Sequence, residues 1–232
     1  MKFSLIIPCY NEVANLPALL EHCKPILENP LFEVILVDNG STDGSLEVLQ
    51  NLLPSYPGCR ILRIDKNRGY GFGILSGLKS AKGEILSWTH ADSQTDPQDV
   101  LRGLELFERH GIDIFVKGQR FGRPLSDEIF TFGMSLFETV LLRKPLWDIN
   151  AQPTMFSRYF FETWRNPPDD FALDLYAYYQ ALFKDLKVRR FPVNFGKRAH
   201  GYSHWNVSWS SKWKFIRRTI VFSLHLKKKS GS

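Results

Sequence analysis

Five short β-rich runs, KFSLIIP, FEVILV, RILRI, EILSW and IDIFV, alternate through the first half of the chain with stretches of helical spacing. Those stretches carry Leu16, Leu19 and Leu20, then Leu46, Leu49 and Leu52, then Ile74, Leu78 and Ala81, then Val100, Leu104 and Phe107. The strand runs are almost continuously apolar, the pattern of strands covered on both faces. Strand–helix alternation of this kind predicts an α/β fold with a mostly parallel sheet flanked by helices. Residues from about 126 to 143 and from about 170 to 184 suit two more helices, and KVRRFPV reads as one more strand. There is no internal repeat and no long linker, so the 232 residues are expected to form a single domain.

In an open parallel sheet, ligands bind beyond the carboxyl ends of the strands. Polar residues cluster there: Pro8-Cys9-Tyr10-Asn11-Glu12, Asp38-Asn39-Gly40-Ser41-Thr42-Asp43-Gly44, Asn67-Arg68-Gly69-Tyr70-Gly71 and His90-Ala91-Asp92-Ser93-Gln94. The plain alternative for several of them is loop capping: Asn11 and Asn39 suit turns, and Ser41 or Thr42 could cap the next helix. Gly69, Gly71, Gly73 and Gly77 invite a dinucleotide-binding reading, but that fingerprint belongs after the first strand, which here leads into CYNE. Close packing of a helix on the sheet explains the glycines better, and a nucleotide-dependent oxidoreductase is excluded on their placement.

The stretches SLIIPCYNE, VILVDNGSTDGS, DKNRGYGFGILSGLKSAKGEIL, THADSQTDP, GQR at 118–120 and FPVNFGKRAHGYSHWN span nearly the whole chain. Together they resemble the family-2 glycosyltransferases of the GT-A fold, in the branch that includes polyprenyl-phosphate (dolichyl-phosphate) sugar synthases. The resemblance implies a GT-A, Rossmann-like sheet and transfer of a sugar from a nucleotide-diphosphate sugar with inversion. It places Pro8, Tyr10, Glu12, Asp38 and Asn39 around the nucleotide, with Asn11 either in that site or in the turn beside it. Asn39 stands where the family usually has a second Asp.

THADSQTDP matches the family's Asp-x-Asp region, whose oxygens hold Mg²⁺ or Mn²⁺ on the pyrophosphate. Such hard cations accept one carboxylate plus substrate phosphates and water. Asp92 matches the second Asp, Gln94 the following Gln, and His90 stands in place of the first Asp, either as a ligand or as a hydrogen-bonding and packing residue. Asp96, before Pro97, reads as a helix cap. Arg120 and Arg198 match family arginines near phosphate, Ser203 matches the Ser of the Gly-x-Ser motif, and His204 replaces the Lys that usually follows. Bidentate Arg contacts suit a departing diphosphate. Asp174 falls where the family has an acid at the start of its late helix, as a general base, with Asp169 and Asp170 as alternatives and helix-dipole matching as the plain reading. A lipid-phosphate acceptor arrives ionised and needs no base. After Asp148 the sequence reads Ile149-Asn150-Ala151-Gln152-Pro153 and lacks the Gly-Phe-Arg common in lipid-phosphate synthases. Polyprenyl-phosphate and envelope-glycan acceptors therefore both stay open. A catalytically silent nucleotide-sugar binder, with His90 marking a lost metal site, is the alternative.

Charge divides the chain. Of 30 Lys/Arg and 24 Asp/Glu, nine basic and no acidic residues fall in 197–232, leaving 21 against 24 in the first 196. That argues against nucleic acid as the partner and for a basic appendage. Trp209, Trp213, Ile216, Ile220 and Leu224 form one helical stripe, with Lys214 and Arg218 opposite. The expected division is a catalytic domain over 1–206 and a tail over 207–232 that touches anionic lipid, or else docks on the domain. Three cysteines, Cys9, Cys23 and Cys59, without CxxC spacing suit a reducing compartment. The start is too short in apolar residues for a signal peptide, so the expected location is cytoplasmic, at the inner face of the membrane.

Overall fold

The computed structural model describes residues 1–122, 125–196, 217–224 and 226–227. The chain order is β1 (Phe3–Cys9), α1 (Leu16–Leu27), β2 (Phe32–Asn39), α2 (Ser45–Leu52), β3 (Cys59–Ile64), α3 (Tyr70–Ser80), β4 (Ile85–Trp88), α4 (Asp99–His110), β5 (Ile114–Phe121), α5 (Leu125–Leu142), β6 (Thr154–Ser157), α6 (Arg158–Glu162), α7 (Leu173–Phe183) and β7 (Lys187–Asn194). Among the described residues the strands form one sheet in the order β3-β2-β1-β4-β6-β5-β7. All neighbours are parallel except β6, which runs antiparallel to both β4 and β5. The expected α/β architecture is present.

Alternate strand residues feed two cores, one on each face. Ile6, Ile35, Val37, Leu86 and Trp88 pack with α3 and α7 residues, whereas Leu5, Ile7, Val34, Leu36 and Ile85 pack with residues of α1 and α4. Each such side chain contributes about 1.5–3 kcal/mol on burial, which is why the strands carry so few polar positions. The glycines of α3 serve this packing: a Cβ on Gly77 would lie 2.4 Å from Ile6 Cγ2, and one on Gly71 2.5 Å from the Asp170 carbonyl.

Two elements were not legible beforehand, β6 and α6. TMFS is only four residues long, and its place in the sheet comes from register with Ile85–Trp88 rather than from any period of its own. Ser157 caps α6 by accepting from the Phe160 N–H.

The helix α5 departs from the expected polarity. Its inward positions include Ser135 and Glu138, both buried, while Leu125, Ile129, Phe132, Leu136 and Val140 are exposed, Leu125 and Val140 at 70%. Residues 217–224 are helical. Their packed face comprises Phe222 and Ser223, continued by Leu226, one step from the stripe expected at Ile220 and Leu224. Trp209, Trp213, Ile216 and Lys214 lie outside the described residues.

Candidate active site

The carboxyl ends of β1, β2 and β4 converge, and the loops that leave them are fixed by side chains from one another. Asn11 adopts a left-handed φ of 54°. Its N–H donates to Ser41 Oγ at 3.0 Å and its Oδ1 accepts from the Thr42 N–H at 2.8 Å. The Glu12 N–H donates to Ser45 Oγ at 3.2 Å, and the Glu12 carboxylate accepts from the Asn15 amide. Neither Ser41 nor Thr42 caps α2, a correction to the expectation. The N-cap position is Gly44, and the Asp43 carboxylate ahead of it accepts from the Ser45 N–H at 3.0 Å and from the Val13 N–H at 3.1 Å. Burial raises the Asp43 carboxyl, but these bonds and the Ser45 hydroxyl outweigh it and hold it below the usual carboxylate range.

Pro8 closes the strand side of this corner and Tyr10 projects from it, 38% exposed. Asp38 is fully buried. One of its oxygens accepts from the Ser41 N–H at 3.0 Å and the other is ion-paired with Arg63. The group at this strand end that reaches solvent is therefore Arg63, with a side chain one-third exposed at 33%. Sequence reading missed it because an Arg alternating within a strand looks like an ordinary edge residue. Asn39 donates to the Gly69 carbonyl at 2.9 Å and accepts from the Arg68 N–H at 3.4 Å, so its amide fastens the β3–α3 turn.

The loop after β4 is stapled at its base by Thr89 and Thr95, whose hydroxyls lie 3.1 Å apart. Within it, Asp92 is 7% exposed and accepts from the Gln94 N–H at 3.2 Å. The Gln94 amide donates to the Gly196 carbonyl at 3.3 Å, tying the loop to the end of β7. The His90 ring stacks on Tyr70 with centroids 5.7 Å apart, and Tyr70 stacks on Phe171 at 4.9 Å. Asp96 accepts from the Gln98 N–H at 3.0 Å in the turn ahead of α4, whose N-cap position is Gln98 and not Asp96, a correction to the expectation.

Beyond this loop lies a buried polar cluster. Arg120 Nε, at 2.9 Å, and Nη2 both donate to Asp148 Oδ1, the Arg120 backbone N–H donates to Oδ2 at 3.0 Å, and the guanidinium lies 5.2 Å from the Phe195 ring. Asp174 is 2% exposed in the first turn of α7 and accepts from Gln152 Nε2 at 2.7 Å. Of the alternatives, Asp170 accepts from the Ala172 N–H at 2.9 Å in the turn ahead of α7, and the Asp169 carbonyl accepts from the Phe72 N–H at 2.8 Å. Tyr70 turns its hydroxyl toward Gln152; burial first, and then the Asp174 charge, push that hydroxyl well above its ordinary range. A cavity of about 50 Å³ beside Arg120 is lined by Met134, Ile149, Phe171 and Leu175. Gln152 and Phe171 carried no motif signal, and Tyr70 stood only as a member of the run after β3, since their contacts arise across the fold. Arg198, Ser203 and His204 lie outside the described residues.

Among the described residues, no three His, Cys, Asp or Glu side chains gather into a protein-only cation cage. The donor set at the β4 loop is one carboxylate, one amide and one imidazole. That fits a hard divalent cation which takes its remaining ligands from phosphate and water.

The family profile described as "Glycosyl transferase family 2" matches residues 4–162. An undecaprenyl-phosphate 4-deoxy-4-formamido-L-arabinose transferase from Aeromonas hydrophila is 38% identical over 108 residues, covering 44% of this chain and 32% of that protein. A dolichol-phosphate mannosyltransferase from Pyrococcus furiosus is 33% identical over 121 residues, covering 52% of this chain and 34% of that protein. The matches thus span about a third of these relatives' length. In fold, the chain is similar to glucosyl-3-phosphoglycerate synthase from Mycobacterium tuberculosis in complex with uridine-diphosphate. That similarity has a TM-score of 0.74 at 18% identity, covering 97% of this chain and 79% of that one. It is also similar to a mannosyltransferase from Pyrobaculum calidifontis in complex with GDP-Man and Mn²⁺, with a TM-score of 0.67 at 18% identity, covering 93% of this chain and 64% of that one. With its strand-end loops in the GT-A arrangement and its profile match running through more than half of its length, this chain belongs to glycosyl transferase family 2.

Proposed function

We propose that this glycosyltransferase moves a sugar from a nucleotide-diphosphate sugar to a polyprenyl-phosphate or envelope-glycan acceptor at a membrane surface, with inversion. The observation that carries the reading is the stapled β4 loop. It holds His90, Asp92 and Gln94 at the strand ends, with the β1 and β2 loops on one side and the Arg120–Asp174 cluster on the other.

The donor half would use Pro8 and Tyr10 as its apolar wall, with Glu12, Asn11, Asp38 and Asn39 shaping the corner and Arg63 adding a charge. Asp92, with Gln94 and His90, would hold Mg²⁺ or Mn²⁺. A cation there supplies charge neutralisation on the diphosphate leaving group. Arg120, and Arg198 and Ser203 from the later motif, would meet phosphate oxygens. Attack by the acceptor oxygen on the anomeric carbon breaks the bond to the diphosphate, which leaves with the electron pair. A hydroxyl acceptor would give its proton to Asp174.

The lipid side of the proposal is supported by the exposed apolar stripe of α5, with Arg217 and Arg218 exposed nearby. Among the described residues no helix is long and apolar enough to cross a membrane. We assign residues 1–206 to catalysis and 207–232 to contact with anionic lipid at the inner face of the cytoplasmic membrane. UDP-, GDP- and dTDP-sugars, each assayed with Mn²⁺ or Mg²⁺ and a membrane lipid extract, test the reaction. Metal-stimulated transfer from one donor is expected; no transfer and no donor hydrolysis from any would overturn it. Truncation after Asn206 is expected to release the protein from anionic vesicles.

A further inference from the structure

Lys117 has no solvent exposure. It lies on β5, paired across the sheet with Thr154 of β6 and Arg190 of β7. A buried ammonium is costly unless neighbouring groups compensate. Here Nζ donates to Thr154 Oγ1 at 2.7 Å and lies 5.9 Å from the rings of Phe115 and Tyr178.

The threonine passes the contact on. Thr154 Oγ1 reaches the Ala151 carbonyl at 3.5 Å, and the next residue, Gln152, donates to Asp174 at 2.7 Å. A continuous chain of contacts therefore runs from β5 to the carboxylate at the head of α7.

The other cations of the cluster are committed elsewhere. Arg120 is clamped by Asp148, and Arg190 donates to the carbonyls of Gly118 and Trp147. Asp174 meets two neutral groups, the Gln152 amide and the Tyr70 hydroxyl.

We propose that Lys117 is a positioning residue for the transfer site. Through Thr154 it fixes the turn that presents Gln152 to Asp174. The proposal rests on Asp174 being the proton acceptor for transfer. Burial brings the Lys117 ammonium down to about 7; Asp174 pulls it up, Arg190 pushes it down, Asp148 pulls it up and Arg120 pushes it down. Tyr70, facing Asp174 from α3, and Tyr178, from α7, complete the titratable surroundings.

The test uses the full chain with nitrogen-15 in its glutamine side chains, the Gln152 amide signal being assigned with Gln152→Glu. Lys117→Met keeps the length and removes the bond to Thr154; Lys117→Gln is the second variant if the first fails to fold. In either, and in Thr154→Val, the Gln152 amide signal is expected to move, and kcat to fall by about tenfold at unchanged donor KM. An unmoved amide signal, or a wild-type kcat in Thr154→Val, overturns the positioning role. Absence of transfer in the wild type defeats the acceptor reading, while the amide signal still decides the role of Lys117.

Discussion

The Asn39 side chain donates to the Gly69 carbonyl across 2.9 Å, a bond that an aspartate at the same position could not make. Asn39→Asp would set a carboxylate against a carbonyl at a site only 4% exposed. The expected loss is about 1–3 kcal/mol of stability, read by urea denaturation, together with weaker donor binding as the β3–α3 turn loosens.

Stability should also report the buried lysine. The Lys117 ammonium falls from 10.5 to about 7 in the folded state, so between those values the unfolded chain holds more protons. Stability therefore rises with pH from about 7 toward 10.5, and the penalty of burying the charge is fully present below about 7. Lys117→Met is expected to flatten that rise in denaturation curves taken between these pH values.

Glu138 gives the opposite slope. Burial raises its carboxyl from 4.5 to about 7, the Ser223 hydroxyl giving slight relief. The folded state holds the extra proton here, so the stabilising contribution is present below 4.5 and is lost as pH rises through about 7. Glu138→Gln is expected to stabilise the protein at pH about 8 by about 1–3 kcal/mol and to change little in acid. A calorimetric melt at the two pH values checks it.

Gly77 tests the packing of α3 on the sheet. An added Cβ would meet Ile6 Cγ2 at 2.4 Å and Val37 Cγ2 at 3.0 Å. Gly77→Ala is expected to cost about 1–3 kcal/mol through overpacking. Combining it with Ile6→Ala, which removes both γ carbons that the new methyl meets, is expected to show favourable coupling in a double-mutant cycle.

The strand pattern and the loops at the strand ends were legible in the sequence because burial on both faces leaves a run such as LIIP no polar position. The resemblance to family 2 likewise pointed to the β4 loop around Asp92. What was not legible depends on distance along the chain. Lys117 meets Thr154 across 37 residues, and Tyr70 meets Gln152 across 82. Local spacing encodes neither partnership. The short strand β6 had no period to read, and α5 misled because its apolar residues face outward and its Glu138 inward. Asp38 shows the remaining gap: the sequence places it at the end of β2, but its two partners, Ser41 and Arg63, emerged only with the fold.

The reversed strand β6 has a consequence for how such an enzyme can diversify. On one side of it stand β3, β2, β1 and β4, all drawn from the first 88 residues; on the other stand β5 and β7, drawn from residues 114–194. The two groups of strands meet along a seam of four residue pairs, from Ile85 with Ser157 to Trp88 with Thr154. Each group is contiguous in the gene apart from β6 itself, so a recombination point in the α4 region would exchange one group while leaving the other's loops unbroken. A chimera joined there would inherit one set of strand ends whole, and the seam would be the first place to repair.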